Sequence, residues 1–416
     1  MEFFSKIFRG DRIVWLVFLF MCALSVLEIY SSSSSLTFSH VDRHFDPVLR
    51  HMMFLSIGIA FALFIHYIPF KWFPYLSGLA FLFAIALLLW AIVGGVRLND
   101  ANRWVSFFGV QFQPSELGKL AVVMLSSFIL SKTQTDDGVS KTGFWFIIGT
   151  SGLCILLIFL DNLSTALLLG MVVISLMVLG NVQLKKIGLI ILVAITFVSV
   201  VIAFVPESIM PRAATWRARI ARTIGGDDDN NSASKGAKED DKYVITDENF
   251  QVAHAKIAIS NGGILIGRGP GRSVQRDILP QAYSDFIFAI ILEEWGVLGG
   301  LVVIFCYFLL IFRTGQIARS CDSLFGQLLA MGCALMIVFQ ATINMAVAVD
   351  SGLVTGQPLP LISRGGTSTI ITCVYIGIIL SVSVYTNNDY PDALRNWKFT
   401  NLEPKQENEE TTQIHS

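Results

Sequence analysis

The stretch QAYSDFIFAIILEEWG, Gln281 to Gly296, decides how the whole chain is read. Asp285 stands at the entrance of an apolar run, and Glu293 and Glu294 lie inside it. The run carries on past Gly296, beyond the roughly 20 residues that a helix needs to cross a bilayer core. A carboxylate near the centre of such a span costs roughly 2.5–3.5 kcal/mol on insertion scales, so the chain must gain something by keeping these. On a continuous helix Asp285 and Glu293 would stand about 12 Å apart along the axis and roughly 80° apart around it. They cannot form one paired acid/base site. Asp285 is the carboxylate at the mouth, whereas Glu293 and Glu294 are read as hydrogen-bonded inside a bundle. Gly296, Gly299 and Gly300 are expected to let helices pack closely below it.

The rest of the chain agrees with a membrane reading. Of its 416 residues 54% are hydrophobic and only 15% charged, outside the range of ordinary soluble domains. The net charge of −1 gives no global basic field, which argues against nucleic acid as a partner. The six cysteines fall in or beside apolar runs with no CxxC pair, and the histidines form no HxxxH pattern. Neither a disulfide framework nor a protein-bound zinc site is expected. The first apolar run follows Lys6, Arg9 and Arg12, yet it contains Glu28 and lacks a small-x-small cleavage site. It reads as an uncleaved anchor.

Ten spans are predicted, at 13–30, 50–68, 75–93, 114–131, 143–160, 164–181, 187–205, 285–312, 327–349 and 367–386. The fold class is therefore an all-α polytopic membrane protein. With the N-terminus inside, the inner segments carry thirteen Lys and Arg; the short outer loops carry five, Arg43, Arg50, Arg97, Arg103 and Arg364. Positive charge stays inside, so both termini are expected in the cytoplasm. The chain then divides into 1–205 (N-terminus and seven spans), 206–284 (a long outer loop), 285–386 (three spans) and 387–416 (a polar tail expected to be disordered). Within the loop, PRAATWRARIAR (Pro211 to Arg222) reads as a basic amphipathic helix on the outer leaflet or as a solvated surface helix. GGDDDNNSASKGAKEDDK (Gly225 to Lys242) has almost no apolar residues and is expected to be disordered.

Polar residues gather at the outer ends of the spans. Pro114 suits the first turn of the fourth span, with Ser115 or a neighbour as cap. Glu116 sits where the helix dipole favours an anion. Glu116 and Lys119, at i and i+3, can pair; the pair is either a plain helix-start salt bridge or part of a polar cavity. Asp161 and Asn162 end the fifth span, Gln340 and Asn344 share a face of the ninth, and Asp350 marks its end. Pro358 to Ser368 (PLPLISRGGTS) forms a re-entrant-like turn whose backbone N–H groups suit an anion. Gly267-Arg-Gly-Pro-Gly271 is no dinucleotide fingerprint, because no strand precedes it, and it reads as a flexible loop.

At these residues the chain resembles the SEDS family (shape, elongation, division and sporulation) of peptidoglycan glycosyltransferases. The likeness rests on Arg103-Trp104 with Gln113-Pro-Ser-Glu116-x-x-Lys119, on Asp285-Phe-Ile-Phe-Ala289 with Glu293-Glu294-x-Gly296, and on Leu359-Pro360-x-x-Ser363-x-Gly-Gly-x-Ser368. Gly267-x-Gly-x-Gly271-x-Ser273-x-Gln275 is closer to the division branch than to the elongation branch. The family's usual Tyr before Gly-Gly is Arg364 here.

The resemblance implies that lipid II is polymerised outside the cytoplasmic membrane, in septal wall synthesis, beside a class B penicillin-binding transpeptidase and other division proteins. It implies Asp285 as the catalytic base, and Arg103 and Lys119 on the diphosphate with Glu116 positioning Lys119. Gln113, Ser115, Gln275, Ser363, Gly365, Gly366 and Ser368 are implied as further substrate contacts. No resident cofactor is implied; a Mg or Mn ion at the diphosphate is compatible with the chemistry, though the sequence carries no ligand cage for it. The rival readings are a lipid II flippase, an elongation-type polymerase, and a scaffold that only recruits a transpeptidase.

Overall fold

The structure is a computed structural model and describes residues 8–32, 46–94, 96–98, 101–107, 110–136, 138–204, 250–263, 265–279, 282–351 and 356–386. Among these, nine helices are long and apolar enough to cross a membrane, and a tenth apolar helix, Leu163–Leu179, is slightly shorter. In chain order they are α1 (Arg12–Ser32), α2 (Asp46–Ile65), α3 (Phe73–Gly94), α4 (Pro114–Lys132), α5 (Lys141–Asp161), α6 (Leu163–Leu179) and α7 (Leu184–Phe204). Then come α8 (Phe250–Gly262), the single turn α9 (Gln275–Ile278), α10 (Ile287–Ser320), α11 (Leu324–Ala348) and α12 (Thr367–Thr386). Strands β1 (Val96–Leu98), β2 (Ala101–Phe107) and β3 (Val110–Phe112) form an antiparallel ribbon between α3 and α4. A two-stranded turn, β4 (Gln134–Thr135) with β5 (Gly138–Val139), joins α4 to α5. The fold is the expected all-α polytopic one. The amphipathic and acidic segments expected over 211–222 and 225–242, and the tail 387–416, lie outside the described residues.

Lipid tails are as apolar as leucine, so burial against lipid does not drive these helices together; close packing and internal polar contacts do. The helix at the centre is α12, with 94% of its span buried, while α7 at 11% is hardly covered at all. Helix α12 lies along α2, α4 packs between α3 and α11, and α10 runs beside α11 and α1. Local signals start the helices. Asn162 Oδ1 accepts from Thr165 N (3.2 Å) to open α6, and Ser140 Oγ accepts from Gly143 N (3.1 Å) to open α5. Away from the polar turn of 356–366, Asp11 opens α1 by accepting from the backbone N–H groups of Ile13 and Val14, both at 3.0 Å. Its second oxygen accepts from Arg313 Nε (2.7 Å), which ties α1 to α10.

Three expectations need correction. Asp285 is not inside a helix: α10 starts at Ile287 with Phe286 as N-cap, so the angular argument from Asp285 to Glu293 does not apply. Helix α10 is also not continuous. Gly296, at φ 68° and ψ −169°, breaks it into two segments, and this conformation suits glycine because it carries no Cβ. The break leaves the carbonyls of Glu293 and Glu294 without their in-helix donors. Arg268 N (3.0 Å) and Gly269 N (2.9 Å) supply the replacements. Within a membrane bundle irregular backbone survives only where protein satisfies it, so the segment around Gly267–Gly271 is a docked element and not a loose loop. The loop 206–284 also contains α8, which packs on α10.

A Cβ at Gly267 would overlap the Glu294 carbonyl and the Gly296 backbone nitrogen. Gly267→Val is therefore expected to destabilise the purified protein by about 1–3 kcal/mol through overpacking, read as a lower Tm. An unchanged Tm would mean that this segment is not docked.

Candidate active site

The carboxylates that opened the question occupy two separate networks. Glu293 is fully buried and clasps the start of α9: it accepts from Val274 N (3.2 Å), Gln275 N (3.3 Å) and the Ser273 hydroxyl. Gln275 also bonds His254 Nδ1 (2.7 Å) from α8. Glu294 accepts from the Ser31 hydroxyl, while Ser31 O accepts from Arg276 Nη1 (2.9 Å). Trp295 Nε1 donates to Glu28 (2.7 Å) on α1. These buried acids hold 265–279 against the break in α10. Gln275, expected to touch substrate, is buried within this network and is not among the groups gathered around Asp285.

The second network joins Glu116 and Lys119, through Gln340 and Asn344, to the backbone of Asp285. Glu116 and Lys119 form an ion pair at 2.8 Å, with both side chains almost completely buried. Lys119 Nζ also donates to Gln340 Oε1 (3.0 Å), and Gln340 Nε2 donates to Pro358 O (3.0 Å). One turn along α11, Asn344 Nδ2 donates to Gln357 O (2.7 Å) and to Asp285 O (2.8 Å). Gln357 Nε2 donates to Thr165 Oγ1 (2.7 Å) at the start of α6. The adjacent residues Gln357 and Pro358 thus join the two chains of contacts, and α11 holds both. Asp285 itself is half-buried, and a Cβ at Gly356 would lie 3.4 Å from its Oδ2.

The turn at 358–366 is tied down on all sides. Ser363 Oγ donates to Ser284 O (2.6 Å) and accepts from Leu359 N (2.8 Å). Arg364 N donates to Tyr283 O (3.0 Å), Ser363 N to Leu359 O (2.9 Å) and Ser368 N to Gly365 O (3.0 Å). These N–H groups were expected to face an anion; the fold already engages them. Gly366, at φ 53°, lets the chain enter α12, and Ser368 is buried.

The remaining expected residues are placed as follows. Gln113 is the N-cap of α4 with extended backbone, but its side chain makes no capping bond. Ser115 Oγ is buried without a hydrogen-bond partner among the described residues, so its expected capping role is not made. Arg103 lies on β2, and its side chain is outside the described residues. The contacts through Thr165 and Gln357 were missed; only their polarity beside apolar runs hinted at them. Among the described residues no group of three or more His, Cys, Asp or Glu is placed to hold a metal ion, so a Mg or Mn ion would find no ready-made cage there.

Fold and site together define a multi-pass helical membrane protein with a half-buried carboxylate pinned at one end, above a buried ion pair. Over residues 11–388 the chain matches the family of cell cycle proteins that groups FtsW, RodA and SpoVE, and it belongs to that family. It is 28% identical over 387 residues to the probable peptidoglycan glycosyltransferase FtsW of Geobacter sulfurreducens, covering 91% of this chain and 96% of that one. It is 30% identical over 375 residues to the probable peptidoglycan glycosyltransferase FtsW of Bacillus subtilis, covering 88% of each. Its fold is similar to a chain from a peptidoglycan synthase complex that coordinates polymerization and crosslinking (TM-score 0.68, 21% identity, 91% of this chain and 99% of that one). It is also similar to the rod shape determining protein RodA of Thermus thermophilus (TM-score 0.63, 21% identity, 92% and 98%).

Proposed function

We propose that the chain is a peptidoglycan glycosyltransferase of the division type, polymerising lipid II into glycan strands during septal wall synthesis. The observation that carries this reading is Asp285: a half-buried carboxylate in a turn whose backbone is pinned by Asn344, beside the Gly356 segment. In the reaction the acceptor's GlcNAc 4-hydroxyl attacks the anomeric carbon of the donor MurNAc. The new C–O bond forms with inversion, the bond to diphosphate breaks, and undecaprenyl diphosphate leaves with the electron pair. Asp285 takes the hydroxyl proton, because an unactivated sugar hydroxyl needs a base within hydrogen-bond reach. Developing charge on the departing diphosphate calls for cations.

Lys119 supplies a cation, but its ammonium is fully buried and engaged by Glu116 and Gln340. Direct contact with diphosphate requires that it leave this pair. As it stands, Lys119 acts through Gln340 on Pro358, a positioning role. The positive-inside count supports placing this end of the bundle outside the cytoplasm, with both termini inside. Kinship with FtsW chains supports a septal location and a class B penicillin-binding transpeptidase as partner.

The test is direct. Purified full-length protein given labelled lipid II, alone and with a class B transpeptidase partner, is expected to give a ladder of glycan polymer on a gel. Movement of lipid II across liposome bilayers with no polymer in either case would favour a flippase.

A further inference from the structure

Two guanidinium groups, one set against Tyr283 and one whose charge reaches the first, have no role in the mechanism above. Arg364 is half-buried on the turn before α12, and Arg50 is exposed at the start of α2. Arg364 lies over the ring of Tyr283 at 5.3 Å, and its backbone N–H bonds Tyr283 O. It is thereby fixed two residues from Asp285. Among the described residues neither arginine has a carboxylate partner, and Arg50 is close enough for its charge to act on Arg364. Burial pulls the Arg364 pKa below the usual guanidinium value; Tyr283 opposes this, and Arg50 adds to it. Behind them His51 is 1% exposed and bonds Ser25 Oγ (2.8 Å). The single Ser25 proton goes to Ile362 O (2.8 Å), so His51 Nε2 must donate, and Nδ1 is left buried without a partner among the described residues.

The turn is built to hold Arg364 in place. Leu361 takes a left-handed φ of 65°, which a leucine adopts only when its surroundings enforce it. Tyr307 Oη donates to Pro360 O (2.5 Å) on one side of Leu361, and Ser25 donates to Ile362 O on the other. A guanidinium fixed on this pinned turn against Tyr283, with a second one within electrostatic reach and no carboxylate partner among the described residues, suits an anion. Planar guanidinium groups pair with phosphate through two parallel hydrogen bonds.

We infer that Arg364, supported by Arg50, binds the phosphate of a lipid headgroup at the mouth of the Asp285 site. The inference rests on the proposed function only for the choice of diphosphate lipid as first candidate. It supplies a half-buried cation, whereas Lys119 is fully buried. Arg364 is then a binding residue, and Ser25, His51 and Tyr307 position the turn that carries it.

The test measures binding without turnover. Wild type, Arg364→Gln, Arg364→Lys and Arg50→Gln are placed in phosphatidylcholine nanodiscs and titrated with undecaprenyl diphosphate. In a second arm, phosphatidylglycerol replaces it. Arg364→Gln is expected to raise the Kd for undecaprenyl diphosphate about tenfold or more, Arg50→Gln by less, and Arg364→Lys to restore part of the loss. An effect confined to phosphatidylglycerol would make the bound phosphate that of an ordinary phospholipid. Wild-type affinity of Arg364→Gln in both arms overturns the inference. If Arg364→Gln fails to fold, the exposed Arg50→Gln and the charge-retaining Arg364→Lys decide on the same scale. A wild type that makes no polymer yet binds diphosphate through Arg364 would sink the proposed function and leave this inference standing. Polymerisation with normal binding by the variants would do the reverse.

Discussion

Asp285→Asn is expected to fold, insert and bind lipid-linked substrate as wild type does, and to lose polymerisation by about 10²–10⁴-fold, the contribution of a positioned base. The structure argues against the main rival explanation for an essential carboxylate here, a helix cap. The N-cap of α10 is Phe286, not Asp285, and the Phe286 side chain makes no capping bond. What fixes the Asp285 backbone is its own carbonyl, which accepts from Asn344, and an asparagine at 285 keeps that carbonyl. The substitution preserves side-chain size and removes the ability to take a proton at neutral pH. Tm and lipid affinity are the controls, and polymer yield is the readout. Polymerisation at close to the wild-type rate would show that Asp285 is not the base.

The helices were legible because hydropathy and length suffice to name a span, and all ten expected spans coincide with helices. The Glu116–Lys119 pair was legible from i, i+3 spacing, as was the shared face of Gln340 and Asn344. The break at Gly296 was not. A glycine in an apolar run looks the same whether it packs a helix or ends one, and only the backbone donors of Arg268 and Gly269 tell them apart. Helix α8 was hidden for a related reason: FQVAHAKIAIS is too short and too polar to read as a span, and it is covered by contacts distant in sequence.

Glu28, Glu293 and Glu294 show how a costly residue can be kept without chemistry. Each lies in or beside a span and meets donors from another segment: Trp295 for Glu28, the start of α9 for Glu293, Ser31 for Glu294. Their benefit is to fasten α1 and 265–279 onto the interrupted α10. That division of labour leaves Asp285 as the acid of the opening stretch that faces the mouth.

Breaking the Glu116–Lys119 pair is expected to have the second large effect. Lys119→Met leaves Glu116 buried without its partner, and orphaning one member of a buried pair costs about 3–5 kcal/mol. It also removes the donor that holds Gln340, and through it Pro358, so polymerisation should fall together with Tm. Glu116→Gln added to Lys119→Met takes away the stranded charge. Buried pairs replaced whole by neutral groups are often no less stable, so Tm should return most of the way. Activity then decides what the lysine does. If Lys119 only positions the Pro358 segment, the double variant should polymerise within about tenfold of wild type, a difference of about 1.4 kcal/mol in barrier. If Lys119 leaves its partner to touch the diphosphate, the double variant will be as stable as wild type and inactive. The buried, doubly engaged ammonium argues for the first result. A stable but inactive double variant would move Lys119 from the support of the site to its chemistry.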